Sequence, residues 1–106
     1  MAKLVRGRWD ADLKAIRTVL ESYEADHPGA RAELYRRGNT LIRIRIVSPH
    51  FRGMSLTARD NELWTYLERL DEEVLQQVTI LLLLTPQEQA ASLMNLEFDA
   101  PVRSIA

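Results

Sequence analysis

The chain has 106 residues, of which 46% are hydrophobic and 27% charged, and its formal net charge is −1. This length and composition suit one soluble globular domain, and the absence of cysteine excludes disulfides, thiolate metal ligands and a cysteine nucleophile. No apolar run approaches the ~20 residues of a membrane helix and no export signal is apparent, so we expect a cytoplasmic protein without a membrane partner.

The N-terminal part of the chain predicts one amphipathic helix. Residues 1–9 are expected to form a lead-in without regular structure. Asp10 or Asp12 can cap the helix, because an Asp oxygen accepts a hydrogen bond from the first-turn N–H groups. The run His27-Pro28-Gly29 ends it, since proline cannot continue a helix. Apolar residues recur at spacings of three and four, as one face of a helix requires: Leu13, Ile16, Val19, Leu20 and Tyr23.

A β-hairpin is predicted next. Residues 30–36 and 41–47 both alternate between apolar and polar side chains, and Gly38-Asn39 between them suits a tight turn. In the second strand the isoleucines share one face, while Arg43 and Arg45 share the other. We expect this arginine face to lie outside the core.

After an elbow at residues 48–54, the chain predicts a second helix that Ser55 caps. Its apolar stripe follows helical spacing, with Trp64 expected in the core beside it: Leu56, Leu63, Leu67 and Leu70. Asp71 can cap a short third helix that ends near Gln76. A third strand follows, and Thr85-Pro86-Gln87-Glu88 then fits a capping box for a short helix to about Asn95.

The order of these elements predicts an α+β fold with the sequence αββααβ. The long helical connection between the last two strands favours a parallel pairing, so we expect a three-stranded mixed sheet with helices on one face. The strand at residues 78–84 is apolar on both faces, which predicts cover on both. Either a second subunit covers the open face, or the C-terminal extension does, through one of four residues: Leu93, Met94, Leu96 or Phe98.

The elbow carries a recognisable pattern. The second strand ends in Val47-Ser48, and Phe51, Gly53, Ser55 and Arg59 follow at fixed spacings. This pattern and the αββααβ order resemble the BolA family. The resemblance covers residues 10–88, which we interpret as the domain, with residues 89–106 as an extension that packs on it.

The resemblance implies a fold similar to class II KH domains and a role in regulation. Many BolA proteins pair with monothiol glutaredoxins and share an iron–sulfur cluster with them. Here Asp60 and Gln77 stand where the family has histidines, and the hairpin loop at residues 36–39 offers no cysteine or histidine. We therefore predict no cofactor and no cluster.

No catalytic or metal site is predicted from the residues. Ser48 and His50 lie close in sequence, but no third residue marks a catalytic triad. His27 is interpreted as a helix-terminal residue, where a cation suits the helix dipole. With only two histidines in the chain, a metal would need distant carboxylates, so we predict none. We predict that the protein is not an enzyme.

Charge is unevenly distributed along the chain. Residues 28–59 contain seven arginines and one acidic residue, whereas residues 60–106 contain two arginines and nine acidic residues. This pattern is either ordinary solvated charge or a basic surface. Six arginines are candidates for binding a nucleic acid or an acidic partner: Arg36, Arg37, Arg43, Arg45, Arg52 and Arg59.

Two functions follow from these observations. The first is a non-enzymatic BolA-like regulatory domain that binds nucleic acid weakly through the arginines. The alternative is a protein-interaction adaptor for a glutaredoxin-like or other protein, without an iron–sulfur cluster. A monomer and a homodimer are both compatible with the sequence.

Overall fold

The computed structural model describes residues 1–38, 40–91 and 98, and in it helices cover one face of a mixed β-sheet. Four strands form the sheet in the order β1-β2-β3-β4. The elements in chain order are β1 (Lys3–Leu4), α1 (Ala11–Asp26), β2 (Arg31–Arg37), β3 (Leu41–Val47), a 3-10 turn (Pro49–Phe51), α2 (Leu56–Leu67), α3 (Glu72–Leu75), β4 (Val78–Leu84) and α4 (Pro86–Ala91).

The α+β class and the predicted helices and strands are confirmed, but the strand count was wrong. β2 and β3 are antiparallel, and β3 and β4 are parallel, as the helical connection predicted. The fourth strand, β1, comes from the lead-in and pairs parallel to β2 through Lys3↔Glu33 and Leu4↔Leu34. The sequence did not predict β1 because two residues are too few to show an alternating apolar and polar pattern. Their strand forms because the edge of β2 offers backbone groups, and Val5 N–H donates to Leu34 O at 3.0 Å.

The core lies between the sheet and helices α1 and α2. The predicted stripe of α1 is buried throughout, and Asp10 caps this helix by accepting from Leu13 N–H at 2.8 Å. Ile42, Ile44 and Ile46 face the helices with no exposed surface. Burial of each such side chain contributes about 1.5–3 kcal/mol relative to exposure. The alternating pattern of β3 therefore assigned its core face correctly.

The predicted stripe of α2 was wrong at two positions. Leu56 is 69% exposed and Trp64 39% exposed, whereas Arg59 and Tyr66 are buried beside Leu63 and Leu67. Leu56 is the first residue of the helix, where no neighbouring element covers it. Trp64 follows Leu63 directly and therefore points about 100° away from the buried face. An arginine and a tyrosine complete that face because both find polar partners within the fold.

The second face of the sheet corrects the interpretation of the arginines. Arg45 is only 2% exposed, so the arginine face contributes a buried side chain. Its guanidinium lies 5.0 Å from the ring centre of Phe98, which in turn packs edge-on against Tyr35 at 5.2 Å. Phe98 is thus one residue that lies on this face of the sheet. The other three residues named for its cover, Leu93, Met94 and Leu96, lie outside the described residues.

Two further expectations fall partly on such positions. α4 is described to Ala91, and the predicted continuation to Asn95 lies outside the described residues, as does Asn39 in the hairpin turn. Among the helices that the structure describes, none is both long and apolar enough to cross a membrane.

Candidate functional site

The elbow between β3 and α2 holds the residues of the family pattern. Ser48 caps the 3-10 turn, because its Oγ accepts from His50 N–H at 3.1 Å. Phe51 is fully buried. Gly53 has φ of +80°, a backbone conformation that a side chain would strain. Ser55 caps α2 by accepting from Ala58 N–H at 3.1 Å. These four residues shape the chain reversal, and both serine hydroxyls accept capping hydrogen bonds.

Arg59, the last residue of the pattern, is bound inside the domain. It is 4% exposed, and its Nη1 donates to Glu88 Oε1 at 2.6 Å and to Leu83 O at 2.9 Å. Its Nε donates to Met54 O at 3.1 Å. Arg59 therefore links α2 to β4 and α4, and its guanidinium does not form part of an exposed basic surface.

Glu88 completes the predicted capping box. Its N–H donates to Thr85 Oγ1 at 3.1 Å, and its Oε1 accepts from Thr85 N–H at 2.9 Å. Hydrogen bonds from Arg59 and then from the Thr85 N–H hold the pKa of Glu88 below its ordinary value. The Glu88 carboxylate therefore has two structural functions. It accepts a hydrogen bond from the Thr85 N–H in the capping box, and it is the counter-charge of Arg59. By contrast, Asp71 precedes α3 without a side-chain capping bond.

Arg45 and Arg36 are also engaged within the chain. Arg45 Nε donates to Glu33 Oε1 at 2.7 Å, across the β2–β3 pair. Arg36 Nε donates to Asp10 Oδ2 at 3.0 Å. Burial opposes ionisation of Asp10, but the hydrogen bonds from Arg36 and Leu13 N–H outweigh it and lower its pKa. Three of the six candidate arginines thus neutralise carboxylates of the domain itself.

Gln77, which stands where the BolA family has a histidine, is hydrogen-bonded to Arg36 and to Asp12. Gln77 Oε1 accepts from Arg36 Nη1 at 2.6 Å, and its Nε2 donates to Asp12 Oδ2 at 2.8 Å. Iron–sulfur clusters are held by thiolates or imidazoles. An amide, a guanidinium and carboxylates bonded to one another do not fit such a cluster.

The remaining three arginines do not form a single patch. Arg37 and Arg52 are exposed, and Arg43 is half-buried on β3. Arg37 ends β2 beside the hairpin turn, whereas Arg52 follows the opposite end of β3. A seven-residue strand at ~3.3 Å per residue separates these ends by about 20 Å. The fold therefore divides the predicted basic patch between two ends of the sheet.

The fold instead brings together two histidines and a glutamate that are far apart in the sequence. His27 is the C-cap of α1, His50 lies in the 3-10 turn of the elbow, and Glu62 lies in the middle of α2. Glu62 Oε2 is 2.8 Å from His50 Nε2 and 3.8 Å from His27 Nε2. One ligand atom from each of the three side chains lies within 4.8 Å of the others. We call these residues the His27–His50–Glu62 cluster.

Aromatic side chains hold the cluster in place. The His27 ring stacks on Tyr23 with 4.1 Å between ring centres, and the His50 ring centre is 4.6 Å from that of His27. Tyr23 OH donates to Glu62 Oε1 at 2.7 Å. Tyr66 packs edge-on against Tyr23 at 5.1 Å, and its OH donates to Asp26 Oδ2 at 2.6 Å. The cluster thus rests on buried or partly buried rings.

The hydrogen bonds also shift the ionisation of these groups. Burial of Glu62 opposes its ionisation, but the bonds from His50 and Tyr23 outweigh it and lower the pKa. Burial, and then the bond to Glu62, raises the pKa of Tyr23. The bond to Asp26 raises that of Tyr66. At neutral pH, Glu62 is therefore a carboxylate and both tyrosines are protonated donors.

This cluster could not be predicted from sequence spacing. We predicted no metal site because the chain has no cysteine and two histidines, so that a metal would need distant carboxylates. Glu62 is such a carboxylate, and it shares no short motif with His27 or His50. Tyr23 and His27 are four residues apart on one helix, which indicates a shared face. The position of His50 depends on the elbow, and that of Glu62 on the packing of α2 against α1, neither of which spacing can predict.

No protein-family model matches the chain, and neither does any curated protein or any solved structure. The resemblance to BolA proteins accordingly remains a prediction, which rests on the elbow residues and on the order of the elements.

Proposed function

We propose that the chain is a non-enzymatic regulatory domain of BolA-like, class II KH-like fold that acts by binding a protein partner. Support for the fold comes from the antiparallel β2–β3 pair, the parallel β3–β4 pair and the elbow that joins β3 to α2. Support for a protein partner comes from one surface, the outward face of α2.

That face exposes an aromatic side chain among acidic groups. Asp60, Trp64 and Glu68 follow one another at intervals of four, so they form one row along the helix, and all three are exposed. Asp71, Glu72 and Glu73 are exposed directly after this row. An exposed tryptophan is unusual on a solvated helix and is enriched at the centres of protein interfaces. The row therefore fits a partner with an apolar pocket and a basic rim.

The same charges disfavour nucleic acid as the main partner. An acidic surface repels a polyanion, and nucleic-acid affinity depends on the number of phosphates that basic side chains neutralise. Arg36, Arg45 and Arg59 already neutralise carboxylates of the domain. Arg37 and Arg52 are solvent-exposed at the two ends of β3, and their exposure is the observation that keeps weak nucleic-acid binding as the second candidate function.

The resemblance suggests the partner to test first. Apo monothiol glutaredoxin is expected to form a colourless complex with the purified protein. A calorimetric titration of one into the other measures the affinity. Replacement of Trp64 with alanine should weaken that complex about 30-fold, because loss of a hot-spot aromatic costs about 2 kcal/mol. Leu41→Ala is the matched control, since Leu41 is also 39% exposed but lies at the start of β3.

Two results would count against this proposal. Equal affinities of the Trp64→Ala and Leu41→Ala proteins would remove the α2 row as the binding surface. If the wild-type protein does not bind glutaredoxin but binds labelled RNA or DNA in a salt-sensitive manner, nucleic-acid binding becomes the better-supported function.

A further inference from the structure

We propose that the His27–His50–Glu62 cluster binds a divalent transition-metal cation of borderline softness, with zinc as the cation to test. The proposal is independent of the protein partner. It rests on the type of the three ligand atoms, on their separation and on the hydrogen bonds that orient them.

The ligand types fit zinc. Zinc binds imidazole nitrogens and carboxylate oxygens, and sites with three protein ligands leave a fourth position for water or for a group from another molecule. Two imidazoles and one carboxylate form such a set. His50 is 40% exposed at its side chain, against 16% for His27 and 26% for Glu62. Solvent thus reaches the cluster from the side of His50, where a fourth ligand has access.

Two of the three ligand separations are close to those that a tetrahedral site requires, and all three are within 4.8 Å. Metal–ligand distances of ~2.0–2.1 Å place ligand atoms about 3.3 Å apart in a tetrahedron. The Glu62 Oε2 distances of 2.8 Å to His50 Nε2 and 3.8 Å to His27 Nε2 lie on either side of this value. A shift of Glu62 Oε2 by about 0.5 Å, away from His50 and toward His27, brings both distances close to this value.

The orienting bonds point the correct atoms at the common centre. His27 Nδ1 lies 3.0 Å from Tyr23 O, and because a carbonyl only accepts, Nδ1 carries the proton and Nε2 has the free lone pair. This bond fixes the tautomer that a metal ligand needs. Tyr23 OH holds the second oxygen of Glu62, which leaves Oε2 directed at the imidazoles. One residue, Tyr23, therefore orients two of the three ligands.

A plain ion pair between His50 and Glu62 is the alternative, and it predicts a different proton position. In the ion pair, His50 Nε2 donates its proton to Glu62 Oε2. A metal binds only to an imidazole nitrogen that carries no proton. If the His50 ring is an imidazolium, its Nε2 proton is released to solvent; if the ring is neutral, the proton moves to Nδ1. The nitrogen resonances of the His50 ring distinguish the two states directly.

The test is a titration of zinc chloride into the tag-free protein near neutral pH, monitored by calorimetry and by nitrogen NMR of the histidine rings. One zinc ion is expected to bind per chain, with a change in the His50 Nε2 resonance. His50→Ala and Glu62→Gln should each weaken binding more than about tenfold, and Tyr23→Phe, which keeps the ring, about tenfold. Far-UV circular dichroism checks that each variant is folded.

Glu21→Gln is the matched control, because Glu21 is a half-buried glutamate of α1 that lies outside the cluster and outside the α2 row. It should bind zinc like the wild type. The proposal is overturned if the wild type shows no saturable binding below about 1 mM. It is equally overturned if zinc binds but His50→Ala and Glu21→Gln behave alike, since the metal would then be held by other carboxylates.

Discussion

Replacement of Arg59 with methionine is expected to lower the free energy of unfolding by about 3 kcal/mol. Methionine keeps much of the apolar volume but removes the bonds to Glu88, Leu83 O and Met54 O. The two carbonyls lose a charged donor in a buried place, which costs about 1–3 kcal/mol per unsatisfied group. Urea denaturation followed by circular dichroism measures the change.

Arg52→Met is the matched control for this change. Arg52 is an exposed arginine of the same elbow, and surface substitutions usually alter stability by less than about 0.5 kcal/mol. Comparable losses in the two variants would mean that Arg59 contributes no more than a solvated arginine, and the structural function assigned to it would be wrong.

The Arg59–Glu88 pair also makes stability depend on pH. The pKa of Glu88 is lower in the folded protein, so the contribution is present above the unfolded pKa of about 4.3 and is lost as pH falls through the folded pKa. Arg59→Met removes the main cause of this shift. Its stability should therefore decline less steeply in acid than that of the wild type, as denaturation curves over a pH series would show.

The second large effect is expected from Arg45. Arg45→Met should lower the free energy of unfolding by about 2–4 kcal/mol, because it removes the partner of Glu33 and the cation above the Phe98 ring. Glu33 would remain on the sheet face without its counter-charge. Denaturation of the variant and of the wild type under the same conditions gives the difference.

Two further variants identify the cause. Arg37→Met is the control at the exposed end of β2 and should cost less than about 1 kcal/mol. If the Arg45–Glu33 pair is the cause, Glu33→Gln combined with Arg45→Met should cost less than the sum of the two single changes. Additive losses would contradict the pairing.

The parts of the fold that the sequence predicted are those that depend on local pattern. The stripe of α1, the alternation of β3 and the capping box at Thr85 and Glu88 each involve residues within a few positions of one another. Such patterns are set by the helix and strand periods and by backbone hydrogen bonding. The α+β class and the order of the predicted elements followed from them.

The parts that it missed depend on tertiary contacts. β1 exists because β2 has a free edge, and Arg45 is buried because Glu33 lies opposite it in the sheet. An arginine that alternates with isoleucines indicates a polar face, but the pattern does not reveal whether a carboxylate and an aromatic ring cover that face. Charge counted along the chain therefore overestimated the basic surface.

The candidate site was missed for the same reason. His27, His50 and Glu62 come from three elements, and their approach depends on the packing of α1 against α2 and on the elbow. Sequence spacing can predict that Tyr23 and His27 share a face, but it cannot predict that Glu62 comes within hydrogen-bonding distance of both Tyr23 and His50.

Arg36, Arg45 and Arg59 bind carboxylates of the domain itself, so we expect the segment at residues 28–59 not to form a nucleic-acid surface. The most direct measurement is a titration of labelled DNA and RNA at two salt concentrations, with the wild type and with Arg37→Ala/Arg52→Ala, which changes the two exposed residues among the six candidate arginines. We predict that the wild type binds no tighter than about 10⁻⁴ M at low salt and that the variant behaves identically. Binding near 10⁻⁶ M that weakens with salt and in the variant would contradict the claim.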